Sequence, residues 1–350
     1  MKRISIALAT ALCLAIAAAP ADAQANSNLD IYFLDMAGGG STLIVTPLAE
    51  SVLLDTGSLE PQHRDADRII SACRDAGLKQ IDYLVTTHFD LDHFGAILEV
   101  SQRIPVKCFV DKGSLPPDGQ NTNWFKRLYP LYQQATKGQV KTLQAGEDIP
   151  LKNDPGGKIP PIKLHCVASE KKIEGFEGDI DAPVAGCQIR KPDTSDNARS
   201  IALVLTYGEF QFFAGGDITW NVEHHLAHPV NRIGNVDLYQ VTHHGLDQSN
   251  NPLFLKALSP TVCVAMNGPR KGIEPNTFKA LNALPSIKAI YQIHYNTQYG
   301  DAGNTDPEFI ANPKEDPKEG QYIKVSVHPE NGNCTISIGP GGPKRTFAIQ

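Results

Sequence analysis

One stretch restricts this chain more than any other: "IDYLVTTHFDLDHFGA", residues 81–96. Its first half is an apolar run that reads as a buried strand. Its second half sets two histidines and two aspartates within six positions, as His88, Asp90, Asp92 and His93. A strand end is a rigid base, and the turn after it lets four such side chains converge on a cation. Imidazole nitrogen suits zinc, iron or manganese, and carboxylate oxygen shifts the preference toward harder ions such as manganese. A chain that builds this turn needs further ligands on other strand ends.

Two other strand ends finish the same way. Asp217 follows the apolar run "FQFFAGG", and His243 and His244 follow "VDLYQVT". If these strands lie in two facing sheets, their ends meet at one edge. An aspartate such as Asp217 can then bridge two cations, and a water between them becomes a hydroxide nucleophile near neutral pH.

The order of elements predicts such a pair of sheets. "LDIYFLD", "STLIVTP" and "SVLLDTG" read as strands, and residues 64–76 as a helix with Ile69, Ile70 and Cys73 on one face. A helix from His93 or Phe94 to about Arg103 and the strand "VKCFVD" come next. Residues 112–160, rich in Pro, Gly and polar side chains, read as an excursion from the core with a helix near Trp124 to Thr136. A hairpin turning at Tyr207-Gly208-Glu209 opens the second half. Helices near Trp220 to His228, Pro252 to Leu258 and Pro275 to Leu284 then alternate with the strands "VDLYQVT", "TVCVAM" and "IKAIYQIHY", and a hairpin at Asn331-Gly332 follows. Each half runs as a strand meander and then strand–helix pairs. This implies an α/β chain of two packed sheets with helices outside, in a single domain over residues 24–350.

Residues 1–23, "MKRISIALATALCLAIAAAPADA", have a basic start, an apolar run from Ile4 to Ala19 and a small-x-small end. That is the layout of a signal peptide cleaved after Ala23. The run of 16 residues is shorter than the roughly 20 of a spanning helix. A periplasmic or secreted protein, with no membrane attachment after cleavage, is expected. The 32 basic residues less Lys2 and Arg3, and the 38 acidic residues less Asp22, leave a net charge of −7. Charge of this sign disfavours long duplex DNA as a partner. Six cysteines remain, of which Cys166 and Cys187 bracket a polar segment and are the expected bridge. Cys263, inside "TVCVAM", reads as a buried free thiol.

With these motifs in order, the chain resembles the metallo-β-lactamase-fold hydrolases. Within them it is most similar to the hydrolase domain attached to bacterial competence DNA-uptake channels of the ComEC type and its free-standing relatives. The resemblance runs over about residues 29–340. "IYFLDMAGGGSTLIVTP" matches the opening strand pair, with Asp35 at a characteristic aspartate, and "LLDTGS" the next strand, with Asp55 and Gly57. "THFDLDHFGA" matches the metal motif, with Asp90 where the wider superfamily has a second histidine. "NARSIALVL" places Asn197 where that superfamily has a metal-binding histidine, "FFAGGD" places Asp217 as the bridging ligand, and "VTHHGLDQSNNPLFLKALSPTVCVAMNG" carries the His-His-Gly motif. Two positions depart from the subfamily: Gly40 stands where an acidic residue is usual, and Leu246 where a serine usually follows His-His-Gly.

The resemblance implies a four-layer αβ/βα sandwich and one or two divalent ions, zinc or manganese. It implies one cation pocket of His88, Asp90 and Asp217. A second would hold Asp92, His93, Asp217 and one histidine of the His243–His244 pair, His244 being the favoured one. His243 would then face the substrate or act as an acid, and Asp92, His243 and Asp217 form the expected catalytic set. Asn197 is at best a weak neutral ligand, so the first pocket is poorer in nitrogen than a zinc β-lactamase site.

Other conspicuous residues have plainer readings. His224 and His228, one helical turn apart, read as a solvated face, and His294 as structural. Trp124, Phe125 and Tyr129 read as packing rather than a base-stacking platform. Arg270 and Lys271 read as a surface loop that could also meet an anionic substrate. Asp55 reads as a partner of the loop backbone beside the site. The expected activity is hydrolysis of a phosphodiester or similar anionic ester, on a small-molecule or nucleotide-like substrate. The alternatives are a carbon-ester, lactone or β-lactam hydrolase and a non-catalytic metal-binding module.

Overall fold

The computed structural model describes residues 28–117, 119–182, 184, 188–314 and 320–350. The leader at 1–23 and Cys187 lie outside them. The first six strands are β1 (Leu29–Phe33), β2 (Thr42–Val45), β3 (Ser51–Leu54), β4 (Ile81–Val85), β5 (Val106–Asp111) and β6 (Val140–Thr142). The last three are β16 (Ile323–His328), β17 (Asn333–Ile338) and β18 (Arg345–Ala348). Together they form one sheet, because β16 returns to pair antiparallel with β1.

The second sheet takes the middle of the chain. Its strands are β7 (Asp148–Ile149), β8 (Ile162–Ser169), β9 (Lys172–Ile173), β10 (Ala202–Tyr207), β11 (Phe210–Ala214), β12 (Leu238–Gln240), β13 (Val262–Ala265), β14 (Ala289–His294) and β15 (Ile310–Asn312). Each sheet is antiparallel where the chain meanders and parallel where helices intervene, from β3 to β6 and from β11 to β15. Parallel strands need a crossover, and these crossovers supply the outer helices.

Three apolar layers separate four structural ones. Ile31, Phe33, Leu54 and Val85 of the first sheet meet Leu203, Phe212, Val264 and Tyr291 of the second. Phe33 and Phe212 touch edge to face at 5.8 Å. The outer face of the first sheet packs on α1 (Arg64–Asp75), α3 (Ile97–Arg103) and α4 (Asn123–Thr136), the short α2 (Leu91–Phe94) lying beside α4. The outer face of the second packs on α5 (Trp220–Ala227), α6 (Pro252–Leu258) and α7 (Pro275–Asn282). This is a four-layer αβ/βα sandwich, as expected.

Several expectations need correction. The 112–160 stretch is no excursion: α4 buries Phe125, Leu128 and Tyr132, while β6 and β7 join the two sheets. Its polarity reflects a connector between layers. The expected helix from His93 begins earlier, at Leu91, and breaks after Phe94. The face of α5 carrying His224 is not solvated. His224 is fully buried, since α5 is wedged between α6 and β9 against the second sheet. Cys166 is a buried thiol in the inner core whose Sγ donates to the Ala168 carbonyl, and its expected bridge partner Cys187 lies outside the described residues. Cys263 is a buried free thiol, as expected. β18 escaped the reading because "RTFA" lacks an apolar period.

Candidate metal centre

The carboxyl ends of the parallel strands of both sheets open on one edge. β3 delivers Asp55, β4 the loop from His88 to His93, β11 Asp217, β12 His243 and His244, and β13 Lys271. Asn197 comes from the turn that leads into β10. The two halves are stitched together beside the site. Ile201 N–H donates to the Thr87 carbonyl at 3.0 Å, and Phe89 N–H to Asp196 Oδ2 at 2.7 Å. Lys112, with no exposed side-chain surface, pairs with Asp196 Oδ1 at 3.0 Å and Glu170 Oε1 at 2.7 Å. That buried ion pair holds Phe89, and with it the ligand loop, against the second sheet.

Four imidazoles are oriented alike. Thr87 spends its hydroxyl proton on Asp55 Oδ2, so its oxygen accepts from His88 Nδ1 at 3.0 Å. Asp55 Oδ2 accepts from His93 Nδ1 at 2.8 Å. Ser249 donates to the Ile218 carbonyl and accepts from His243 Nδ1 at 3.2 Å. The Met266 carbonyl accepts from His244 Nδ1 at 3.1 Å. With each Nδ1 pinned, each Nε2 turns to the shared space, which is how metal-ligating histidines are held. His243 and His244 reach this pose through consecutive left-handed backbones at φ 53° and 56°. Non-glycine residues adopt that region at a cost, and such strain gathers at functional sites.

Asp217 Oδ2 lies at the middle, 3.3 Å from His93 Nε2, 3.3 Å from His244 Nε2, 3.5 Å from His243 Nε2 and 3.9 Å from His88 Nε2. On one side Asp92 Oδ2 stands 3.5 Å from His244 Nε2 and 3.9 Å from His93 Nε2. On the other, Asp90 Oδ2 is 3.9 Å from His88 Nε2, and Asn197 Nδ2 is 3.2 Å from His243 Nε2. Asp92, His93 and His244 have donor atoms all within 4.8 Å of one another, as do Asp55, His88 and His93. In the second group Asp55 is already committed to His93 Nδ1 and Thr87, so it supports the ligands from behind.

The carboxylates and imidazoles of the centre shift one another's protonation. Burial and then the neighbouring Asp92 push the Asp90 carboxyl up to about 7. Burial would raise Asp217, yet His244, His93 and His243 hold it well below the usual carboxylate range. Burial would lower His93, yet Asp217, Asp55 and Asp92 raise it well above its ordinary value. The field that holds a proton there also favours a divalent ion. His243, lowered to about 4 mainly by burial, stays neutral. Among the described residues, His88 Nε2 and Asn197 Oδ1 are buried with no hydrogen-bond partner. An orphaned acceptor beside carboxylates is what a cation would satisfy, so the donor set fits a divalent metal.

The structure brings His88, Asp90, Asp92, His93, Asp217, His243 and His244 to one centre. His244 sits on the Asp92–His93 side. His243 sits on the first-pocket side, beside Asn197 and Asp217, rather than standing clear to face a substrate. Asp55 does more than bond backbone: Oδ1 takes the Thr87 N–H at 2.8 Å while Oδ2 fixes His93. Lys271 does lie in a loop at the surface, but its ammonium turns inward to contact Asp92 Oδ2. Ser249 and Thr87 had no sequence signal beyond their proximity to the motifs. His294 pairs with Asp35 Oδ1 at 2.7 Å, a structural contact. Tyr129 stacks on Phe125 at 5.1 Å inside the α4 layer. Gly40 also has a physical reason: a Cβ there would lie 2.7 Å from the His93 ring.

Beside Asp90 opens a cavity of about 820 Å³, walled by Arg190, Lys191, Trp220, Asn221 and Gln248 among others. The Arg190 guanidinium lies 3.7 Å over the Trp220 ring. Asp90 is the sole expected ligand in this wall.

A family model described as the Metallo-beta-lactamase superfamily matches residues 37–256. A curated relative, "Competence protein ComA" of Neisseria gonorrhoeae, is 23% identical over 235 residues, 66% of this chain and 26% of that protein. The chain thus spans about a quarter of that relative's length. A putative metal-dependent hydrolase from Parabacteroides distasonis ATCC 8503 aligns at 15% identity and TM-score 0.42, over 75% of this chain and 92% of its own. A "CmlA beta-hydroxylase E377D mutant" structure aligns at 15% identity and TM-score 0.43, over 77% and 52%.

Proposed function

This chain belongs to the metallo-β-lactamase superfamily, and from that membership we propose that it is an exported metal-dependent hydrolase of a phosphodiester or similar anionic ester. One observation carries the reading: four imidazoles, each pinned at Nδ1, turn Nε2 toward a single central carboxylate, Asp217. A divalent ion, manganese or zinc, bound there supplies Lewis-acid stabilisation of the scissile group and an activated water. The first pocket offers Asp90, Asp217 and Asn197 oxygens with His88 and His243. That oxygen-rich mixture suits manganese and phosphoryl oxygen more than the all-imidazole pockets of zinc β-lactamases do. Asp92 Oδ2 stands 3.5 Å from His244 Nε2 and pairs with the Lys271 ammonium. Arg190 and Lys191 in the adjoining cavity supply positive charge for an anionic substrate of small-molecule or nucleotide size.

The export reading rests on the leader-like residues 1–23, and mass spectrometry of the mature chain tests it. The activity is tested with manganese-loaded protein on an activated bis-aryl phosphodiester, beside a lactam, a lactone and a carboxylic ester. Phosphodiester cleavage that disappears in Asp92→Ala is expected. Cleavage confined to the carbonyl substrates would reassign the centre to acyl chemistry. Bound metal without turnover on any of them would leave a binding module.

A further inference from the structure

The two sides of the centre differ in what already fills them. The segment after β13 is clamped from two directions. Gly268 N–H donates to the Lys271 carbonyl at 2.8 Å, closing a tight turn, and a Cβ on Gly268 would come within 2.8 Å of the Ala37 carbonyl carbon. Ile273 N–H donates to the His244 carbonyl and Glu274 N–H to the Gly245 carbonyl, both at 2.9 Å. Lys271 is therefore presented from a turn locked to the opening loop and to the His-His-Gly turn. Its ammonium pairs with Asp92 Oδ2, while its side chain stays 38% exposed at the mouth. That same Asp92 oxygen stands 3.5 Å from His244 Nε2 and 3.9 Å from His93 Nε2. An ion shared by Asp92, His93 and His244 would need it too, and would be repelled by an ammonium one atom away. Among the described residues the other side has no such occupant: His88 Nε2 and Asn197 Oδ1 are buried and unpartnered.

We propose that Lys271 is a tethered second cation: its ammonium takes the place of a second metal ion at Asp92, so that the chain holds one divalent ion, in the pocket of His88, Asp90, Asp217 and His243. This rests on the reading of the centre as a cation site but not on turnover. The test is manganese stoichiometry, measured by equilibrium dialysis and elemental analysis on the folded chain at saturating free manganese. Wild type should bind one ion per chain, and Lys271→Met two. His88→Ala in the wild-type background should lose the single ion. Two ions in wild type would overturn the proposal without any variant, as would one ion in a folded Lys271→Met. If that variant does not fold, Lys271→Gln makes the same measurement. One ion with no hydrolysis of any ester sinks the hydrolase reading and leaves this one standing; no ion at all removes both.

Discussion

This molecule buries two groups of histidines, and they have opposite characters. At the strand ends, His88, His93, His243 and His244 each have Nδ1 fixed by a neighbour and face Asp90, Asp92 and Asp217. On α5, His224 is as deeply buried, with ring centroids 5.0 Å from His225 and 5.3 Å from His228. Neither of its nitrogens has a hydrogen-bond partner among the described residues, and burial lowers it to about 4. Density of imidazole is the same in kind. The difference lies in the carboxylates and in the fixed tautomers, and it separates a cation site from a packed core.

The sharpest way to break that contrast is to remove the shared carboxylate. Asp217→Ala should lose bound metal and cut turnover by on the order of 10³-fold or more. His224→Leu should leave both unchanged. Metal content and kcat/KM on the two variants check this, and a His224→Leu protein that loses its metal would erase the distinction.

A second perturbation tests the pinning itself. Asp55→Asn keeps the volume behind His93 but removes the negative charge that fixes its Nδ1–H. Metal affinity should fall by roughly 10- to 100-fold, the usual size of an outer carboxylate's contribution. Competition with a chelator of known affinity reads this directly.

The α5 group makes its own prediction, in stability. A histidine lowered from 6.5 to about 4 in the fold takes up its proton more readily when unfolded. Its contribution is complete above pH 6.5 and lost as pH falls toward 4. Between pH 7.5 and 5 wild type should lose on the order of 1 kcal/mol more than His224→Leu, the shift being discounted for solvent screening. Denaturant unfolding of both proteins at the two pH values measures the difference. Parallel loss in the two would show that His224 is not the group that titrates.

The same contrast shows what was legible in the primary structure. "HFDLDH", Asp217 and the His-His pair stood out because each follows an apolar run, and strand ends of one edge must meet once the sheets face each other. The element order was legible for the same reason, from period and turn residues. Lys271 was not, because its reach to Asp92 depends on how the turn after β13 docks on the Ala37–Gly38 backbone, a contact with no local pattern. The burial of α5 was hidden too: "NVEHHL" is polar, and only the packing of α6 and β9 around it decides that it is enclosed. Polar residues signal exposure on average, and this helix is an exception that no period within it announces.

The smallest and most discriminating change is Ser249→Ala. Ser249 lies three residues beyond Leu246, where the resemblance implied a serine, and its hydroxyl accepts from His243 Nδ1 while donating to the Ile218 carbonyl. Removing it leaves the His243 ring in place but frees its orientation, so Nε2 no longer faces Asp217 in every molecule. The Ile218 carbonyl loses a donor, a cost of about 1 kcal/mol in stability. If His243 ligates from the first pocket, metal affinity should drop roughly tenfold. If it serves only as an acid toward substrate, affinity should hold while kcat falls and its pH profile moves. Isothermal titration with manganese, set beside a pH–rate profile, separates these outcomes. Unchanged affinity would place His243 outside the ligand set and leave the first pocket to His88, Asp90 and Asp217 alone.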